Sequence, residues 1–187
     1  MKIDVYDFDK TIYDGDSTLD FYIFCLKKEK SIIKNLPFQV LGYIKYKLKI
    51  ISKTKFKECF YTFFKDIKNI DKELNDFWEQ HEYKMKKWYE NKDHKDHVII
   101  SASPYFLLEP MYKKYKFKLL IASNVDKHTG KYDGLNCYGE EKVRRLRETY
   151  NDFEIDEFYS DSKSDEPLAK LAEKSYLIKK DEIIKWV

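Results

Sequence analysis

Two carboxylates spaced one residue apart follow an apolar run near the amino terminus. The run Lys2–Tyr6 has the composition of a short strand, and Asp7 and Asp9 come directly after it. Because alternate residues of a strand point to one side, both carboxylates converge at the carboxyl end of that strand. A hard divalent cation most simply offsets two like charges held this close, which indicates magnesium and phosphate chemistry. Taken alone, the pair is equally typical of solvated carboxylates at a strand end.

A second segment has the features of a phosphate cradle. Residues 97–104 have the pattern of a buried strand that runs into Ser101, Ala102 and then a helix starting near Pro104. The Ser101 hydroxyl and the backbone N–H of Ala102 are suited to binding an anion at that helix start. An ordinary strand-to-helix turn capped by serine is the alternative interpretation.

Two further segments supply a cation and two more acids. Lys142 lies in the first turn of a predicted helix, where a positive charge opposes the helix dipole, so a partner elsewhere is expected. Asp161 and Asp165 follow another predicted strand, four residues apart. Asp161 is placed to reach a metal, and Asp165 to orient a ligand or a neighbouring lysine. A solvated lysine and a polar loop with an N-cap aspartate are the alternatives.

Taken in order, these four motifs resemble those of the haloacid dehalogenase superfamily of phosphatases. The resemblance covers about the first fifteen residues and nearly everything after His97. The pattern at residues 160–168, and an insertion directly after the first motif, resemble the phosphoserine-phosphatase-like branch, subfamily IB.

The resemblance implies a magnesium-dependent phosphatase. Asp7 would attack phosphorus and form an aspartyl-phosphate, and Asp9 would act as general acid and then general base. Mg²⁺ would be held by the carboxylate of Asp7, the backbone carbonyl of Asp9 and the carboxylate of Asp161. The expected partner is a small-molecule phosphomonoester.

The resemblance also assigns the phosphate-binding groups. Ser101 and the backbone amide of Ala102 would bind the phosphoryl oxygens, and Lys142 would neutralise their charge. Asp165 would support the metal site without touching the metal.

The alternation of strands and helices predicts an α/β fold with a doubly wound, Rossmann-like parallel sheet. Strands are expected at 118–124, 155–160 and 175–178, with a β-hairpin around 128–134. The catalytic core is expected at 1–14 and 95–187. An all-helical cap domain is expected at 15–94.

The cap pattern bears on the substrate. Helical spacing predicts one buried helix face, formed by Leu74, Phe77, Trp78, His81, Met85 and Trp88. On this face, His81 is expected to be a packed histidine. Phosphoserine phosphatases grip the substrate carboxylate with a cap arginine, and the arginines of this chain all lie outside the cap. Asp16 stands where that branch has a glutamate that contacts the amino group. We therefore expect Asp16 to affect specificity and phosphoserine not to be the substrate.

Composition narrows the class of protein. The 36 basic and 33 acidic residues nearly cancel, so net charge gives no reason to expect nucleic acid as a partner. No apolar run is long enough to span a bilayer and no signal-peptide core is present, which predicts a cytoplasmic location. The three cysteines have no CxxC spacing and are expected to be reduced.

Three alternatives stay open at this stage. Residues 36–51 mix apolar, aromatic and lysine residues, which could contact a membrane surface and admit a phospholipid head group, as in phosphatidylglycerophosphate-like phosphatases. Packing within the cap is the favoured reading of that stretch. A phosphotransferase would use the same residues, and a non-catalytic nucleic-acid-binding module is a third possibility. Oligomeric state cannot be predicted from these patterns.

Overall fold

The structure is a computed structural model that describes residues 1–180 and 182–186. It contains one six-stranded sheet with helices on both faces. The strands are β1 Lys2–Tyr6, β2 His97–Pro104, β3 Leu119–Ser123, β4 Glu154–Ser160, β5 Ala172–Lys179 and β6 Glu182–Lys185. The helices are α1 Ser17–Lys28, α2 Leu36–Lys47, α3 Lys53–Phe60, α4 Ile70–His81, α5 Lys87–Glu90, α6 Tyr105–Tyr115, α7 Glu140–Thr149 and α8 Glu166–Ala169.

The strand order is β3-β2-β1-β4-β5-β6, and all neighbours are parallel except β5 and β6. Tyr6 at the end of β1 pairs with Ile99 of β2 on one side and with Tyr159 of β4 on the other. The chain reverses its direction of winding beside β1, which is where ligands bind in such sheets. The α/β, Rossmann-like prediction is thus confirmed.

Strand alternation divides the core into two apolar layers. Val98 and Ile100 pack with Val143 of α7 on one face of the sheet, whereas Ile99 between them packs with Leu107 of α6 on the other. Side chains therefore alternate in β2 even though nearly all of them are buried, as expected for a central parallel strand.

All the secondary-structure elements between β1 and β2 are helices. Its core is aromatic: Phe21 of α1 lies against Phe63, Phe64 and Phe77 with ring centroids 5.3–6.4 Å apart. This cluster is continuous with Tyr6 under the sheet, so the insertion and the sheet share apolar packing. The domain boundaries at 14–15 and 94–95 stay a prediction.

Three local features differ from what the sequence predicts. The single helical face over residues 74–88 is interrupted, because α4 ends at His81 and Met85 lies in an extended segment bridged to Tyr13. The hairpin around 128–134 is present in a short form: Val125 and Tyr132 form one antiparallel bridge, and the N–H groups of Asp126 and Asp133 donate to the carbonyls of Lys131 and Asn124 at 2.8 and 2.9 Å. Strand β6 was not predicted.

Within the described residues, no helix is long and apolar enough to cross a membrane.

Candidate active site

The loop after β1 opens into a cavity of about 410 Å³ at the carboxyl edge of the sheet. Strands β2 and β4 flank β1, so the segments after these three strands meet there. All the site residues expected from the sequence line this cavity: Asp7, Asp9, Asp16, Ser101, Ala102, Lys142, Asp161 and Asp165.

Lys142 joins two of the predicted acids. Its buried Nζ donates to Oδ1 of Asp7 and to Oδ2 of Asp165, each at 2.7 Å. Ser160, the last residue of β4, also donates to Asp165 Oδ2 at 2.7 Å. The lysine in the first turn of α7 therefore does have ionic partners, as its unfavourable position in the helix dipole suggested.

The charges of this group are set by burial and by one another. Burial raises the pKa of Asp7 to about 7, and the ammonium of Lys142 opposes that rise. Although burial opposes its charged form, the carboxylates of Asp7 and Asp165 raise the pKa of Lys142. Lys142 is consequently a fixed positive charge beside Asp7. The second oxygen of Asp7 has a longer contact, 3.5 Å from the Thr11 hydroxyl.

Asp9 is held by two donors from different parts of the chain. The backbone N–H of Ser17, at the start of α1, donates to Asp9 Oδ1 at 2.6 Å, and the Ser103 hydroxyl donates to Oδ2. Burial, with a smaller contribution from Asp16, raises the pKa of Asp9 to about 6, and these hydrogen bonds moderate the rise. A carboxyl with that pKa exchanges protons readily near neutral pH.

The phosphate cradle at Ser101 and Ala102 stays a prediction. The buried Ser101 oxygen accepts the N–H of Ser103 at 3.1 Å, which leaves its own hydroxyl hydrogen available to a ligand. The carbonyl of Ala102, which is not part of that prediction, accepts from Lys57 Nζ at 2.7 Å and from the Ser123 hydroxyl at 3.0 Å.

Asp161 follows β4 and lines the same cavity as Asp7. Its N–H donates to the Thr11 hydroxyl at 2.9 Å, which fixes the loop beside the first motif. Burial raises the pKa of the Asp161 carboxyl. Asp7 and Asp161 are therefore two partly desolvated carboxylates that an added cation would stabilise.

The donor set fits magnesium. The expected ligands are the carboxylates of Asp7 and Asp161 and the carbonyl of Asp9, all hard oxygen donors that leave room for water. One oxygen of Asp165 is buried without a hydrogen-bond partner in the described chain, so it can still accept a hydrogen bond next to the expected magnesium ligands. Within the described residues, no three His, Cys, Asp or Glu side chains form a metal cluster, and the expected set uses only two carboxylates.

Asp16 has a structural role in addition to lining the cavity. Its side chain accepts the N–H of Leu19 at 3.0 Å and caps α1. The predicted effect of Asp16 on specificity stays a prediction.

Sequence reasoning missed several groups at the site. Ser103 bonds Asp9, Thr11 bonds Asp161, and Lys57 with Lys53 reaches the cavity from α3. Burial, with help from the neighbouring Lys53, lowers the pKa of Lys57 to about 8. A small-residue run after a strand hinted at Ser103, but spacing alone gave no sign of Lys57, since it lies in a lysine-rich segment.

The match to known proteins covers most of the chain. The family model that matches, over residues 5–170, is described as haloacid dehalogenase-like hydrolase. No curated protein matches the chain.

Several solved structures are similar. A protein with unknown function from Bordetella pertussis Tohama I is 16% identical, with a TM-score of 0.72 over 93% of this chain and 88% of that one. A phosphoserine phosphohydrolase-like protein from Francisella tularensis is 16% identical, with a TM-score of 0.52 over 94% and 86%. A probable phosphoserine phosphatase from Vibrio cholerae is 10% identical, with a TM-score of 0.61 over 94% and 55%. At these identities the likeness shows a shared fold.

Proposed function

The chain belongs to the haloacid dehalogenase-like hydrolases, and from that membership we propose that it is a magnesium-dependent phosphatase acting on a phosphomonoester. The observation that carries the proposal is the arrangement around Asp7. Lys142 holds one oxygen of this buried carboxylate, and Asp9, Ser101 and Asp161 line the same cavity.

In the first step, an oxygen of Asp7 attacks phosphorus and the bond from phosphorus to the leaving alcohol breaks. Asp9, in its protonated form, gives its proton to the leaving oxygen. The product is an aspartyl-phosphate on Asp7 and a free alcohol. Lys142 balances the phosphoryl charge throughout, since its Nζ already lies beside Asp7.

In the second step, water attacks the phosphorus of the aspartyl-phosphate. Asp9, now a carboxylate, takes a proton from that water, and the bond from phosphorus to the Asp7 oxygen breaks. Inorganic phosphate leaves, and Asp7 returns to its carboxylate form. The hydrogen bonds from Ser17 and Ser103 keep Asp9 in one position for both proton transfers.

Magnesium would be held by Asp7, the Asp9 carbonyl and Asp161, and would supply Lewis-acid stabilisation of the phosphoryl charge. Ser101 would donate its hydroxyl to a phosphoryl oxygen, together with the backbone amide of Ala102. Asp165 would act through Lys142, whose ammonium it helps to fix.

We propose that the substrate is small, with the leaving group beside α3. There the cavity has two lysines, Lys53 and Lys57, and apolar side chains, among them Phe56 and Phe60. Lysine lacks the bidentate fork of arginine, so phosphoserine is expected to be a poor substrate. A phospholipid head group stays a second candidate, because the apolar side chains could contact the start of an acyl region. The predicted cytoplasmic location is part of the same proposal.

The test is phosphate release from a panel of phosphomonoesters, with and without magnesium. The panel includes phosphoserine, sugar phosphates, nucleotides and a detergent-solubilised phosphatidylglycerophosphate. We expect release from at least one ester, dependent on magnesium, and at least 1,000-fold slower in Asp7→Asn, as an order of magnitude for a lost nucleophile. Asp71→Asn, which changes an exposed acid of α4, is the matched control. Activity retained in Asp7→Asn would contradict the covalent mechanism.

Two alternatives are separated by adding an acceptor alcohol to this assay and by measuring oligonucleotide binding. A phosphotransferase would transfer the phosphoryl to an added alcohol in preference to water, so the ratio of phosphorylated alcohol to free phosphate distinguishes it. Oligonucleotide binding without hydrolysis of any ester would favour a non-catalytic nucleic-acid-binding module.

A further inference from the structure

Helix α2 has an apolar side that faces away from the rest of the protein. Each of its side chains on that side exposes 45–65% of its surface. They follow one another at helical spacing and, together with the C-cap residue Leu48, form what we name the α2 face: Leu36, Val40, Leu41, Ile44 and Leu48. Scattered exposed apolar residues are ordinary, but a continuous strip of five on one helix marks an interaction surface.

The orientation of α2 is fixed by contacts on its opposite side. The side-chain amide of Gln39 donates to the carbonyl of Phe60 at 2.9 Å, and Tyr46 stacks on Phe56 with ring centroids 5.3 Å apart. At Gly42 the helices approach so closely that a Cβ would lie 2.6 Å from Cys59 Cβ. The α2 face therefore cannot turn inward without losing this packing.

The segment that contains the α2 face is basic in sequence. Residues 30–57 contain eight lysines and no acidic residue, whereas the whole chain carries a net charge of only +3. The rest of the chain is consequently acidic overall. Of these eight, Lys53 and Lys57 line the active-site cavity, and Lys34 and Lys55 pair with Asp66 and Glu58. The charge available to an anionic partner is therefore that of the lysines at the end of α2.

Three of these lysines have exposed charges next to the apolar strip. Lys45, Lys47 and Lys49 lie in the last turn of α2 and just after it, and all are exposed. Within residues 1–180 and 182–186 none of them has a carboxylate within ion-pair distance, whereas Lys34 and Lys55 do. Lys47 Nζ lies 5.4 Å from the centre of the Tyr43 ring, so these ammonium groups can still pair with an anionic partner.

We propose that the α2 face docks on the surface of an anionic lipid bilayer. Aliphatic side chains would enter the boundary between head groups and acyl chains, while Lys45, Lys47 and Lys49 contact anionic head groups. Docking of this kind is peripheral and needs no membrane-spanning helix. It is a property of the insertion and does not depend on the phosphatase activity.

Two other occupants fit less well. In a dimer formed by this surface, the lysines of both copies would face each other without an acid between them. Single-stranded nucleic acid is bound by stacking on aromatic rings. The five side chains of the α2 face are aliphatic, and the exposed aromatic residues of α2, Phe38 and Tyr43, are not among them. The experiment below separates all three.

The test is sedimentation of the full chain with vesicles of phosphatidylcholine alone or mixed with phosphatidylglycerol. We expect binding to the mixed vesicles that weakens as salt is added. A triple variant, Lys45→Gln with Lys47→Gln and Lys49→Gln, should bind about 100-fold more weakly, since each lysine near an anionic surface contributes about five-fold. The control, Lys113→Gln with Lys170→Gln and Lys174→Gln, removes the same charge from exposed sites elsewhere and should bind as the parent does.

A second pair of variants tests the apolar contribution. Leu48→Gln should weaken binding about tenfold. Leu135→Gln changes a leucine of almost equal exposure, 63% against 65%, outside the α2 face and should have no effect. Circular dichroism of each variant is the control that it is folded.

Several results would overturn the proposal. One is the absence of binding to mixed vesicles; another is equal loss in the two triple-lysine variants. A dimer that Leu48→Gln abolishes, without vesicle binding, would assign the surface to a second copy. Salt-sensitive oligonucleotide binding without vesicle binding would assign it to nucleic acid.

Discussion

Replacing Lys142 with methionine should destabilise the protein strongly and in a pH-dependent way. The substitution keeps an unbranched side chain but removes the ammonium that bonds both Asp7 and Asp165 at 2.7 Å. Breaking a buried ion pair by removing one partner costs about 3–5 kcal/mol, because the other charge is left buried. We therefore expect the free energy of unfolding to fall by about 4 kcal/mol at pH 8.

The pH dependence follows from the Asp7 carboxyl. Its pKa is raised by burial to about 7 with Lys142 present, and loss of the ammonium raises it further. A carboxyl whose folded pKa lies above its unfolded value loses stability as pH rises between the two, by about 1.4 kcal/mol per unit. Above pH 7 the Asp7 carboxyl of the parent is already ionised, so only the variant, whose Asp7 pKa is higher, still loses stability as this carboxyl ionises. The penalty should therefore be larger at pH 8 than at pH 5, where Asp7 is protonated in both folded proteins.

Urea unfolding at pH 5 and pH 8, without magnesium, measures this penalty. Lys113→Met, at a side chain that is 68% exposed, is the control and should change stability by less than about 0.5 kcal/mol. If Lys142→Met costs under about 1 kcal/mol at pH 8, or the same at both pH values, the ammonium is not what stabilises these buried carboxylates.

Three further predictions concern the metal, the acid–base group and the approach of the core to the insertion. Magnesium at about 100 times its dissociation constant should stabilise the parent by about 2.7 kcal/mol in thermal unfolding, and Asp161→Asn should lose most of that gain; equal gains would exclude Asp161 as a ligand. Ser103→Ala removes a hydrogen bond that lowers the pKa of Asp9. The limb of the kcat/KM pH profile that is set by ionisation of Asp9 should therefore move to higher pH, and an unmoved limb would contradict the positioning role of Ser103. Gly130→Ala should destabilise by about 2 kcal/mol or more in urea unfolding, because φ is +71° and the new Cβ would lie 2.5 Å from the carbonyl oxygen of Tyr61. Gly134→Ala, with φ +91° but open space, should cost only the backbone strain, and equal losses would show that the close contact has no effect.

The sheet and its site could be predicted because both follow from local pattern. Apolar runs of strand length end in polar residues at Asp7, Ser101 and Asp161, and parallel strands bring their carboxyl ends to one edge. The period of two along each strand is a property of the backbone, so these positions could be assigned without knowledge of the tertiary structure.

Local pattern was less reliable where the chain turns. The helical spacing of apolar residues continues from Leu74 to Trp88, but the helix ends at His81 because the chain there turns to pair Met85 with Tyr13. The hairpin around 128–134 is likewise limited to one antiparallel bridge, Val125 to Tyr132, and its turn residue Gly130 packs against Tyr61. In both cases contacts distant in sequence determined the local conformation.

The α/β class, the order of the four motifs and the residue types of the site could all be predicted from the sequence, since they depend on backbone periodicity and side-chain chemistry. Only the tertiary structure showed that Lys142 lies between two carboxylates, that Ser103 bonds Asp9, and that Lys57 reaches Ala102. It also decided that the apolar residues of α2 face outward, contrary to the favoured expectation that they pack within the cap. An apolar pattern reads the same whether its partner is the core of the protein or something outside it, so only the packing of neighbouring elements can distinguish the two.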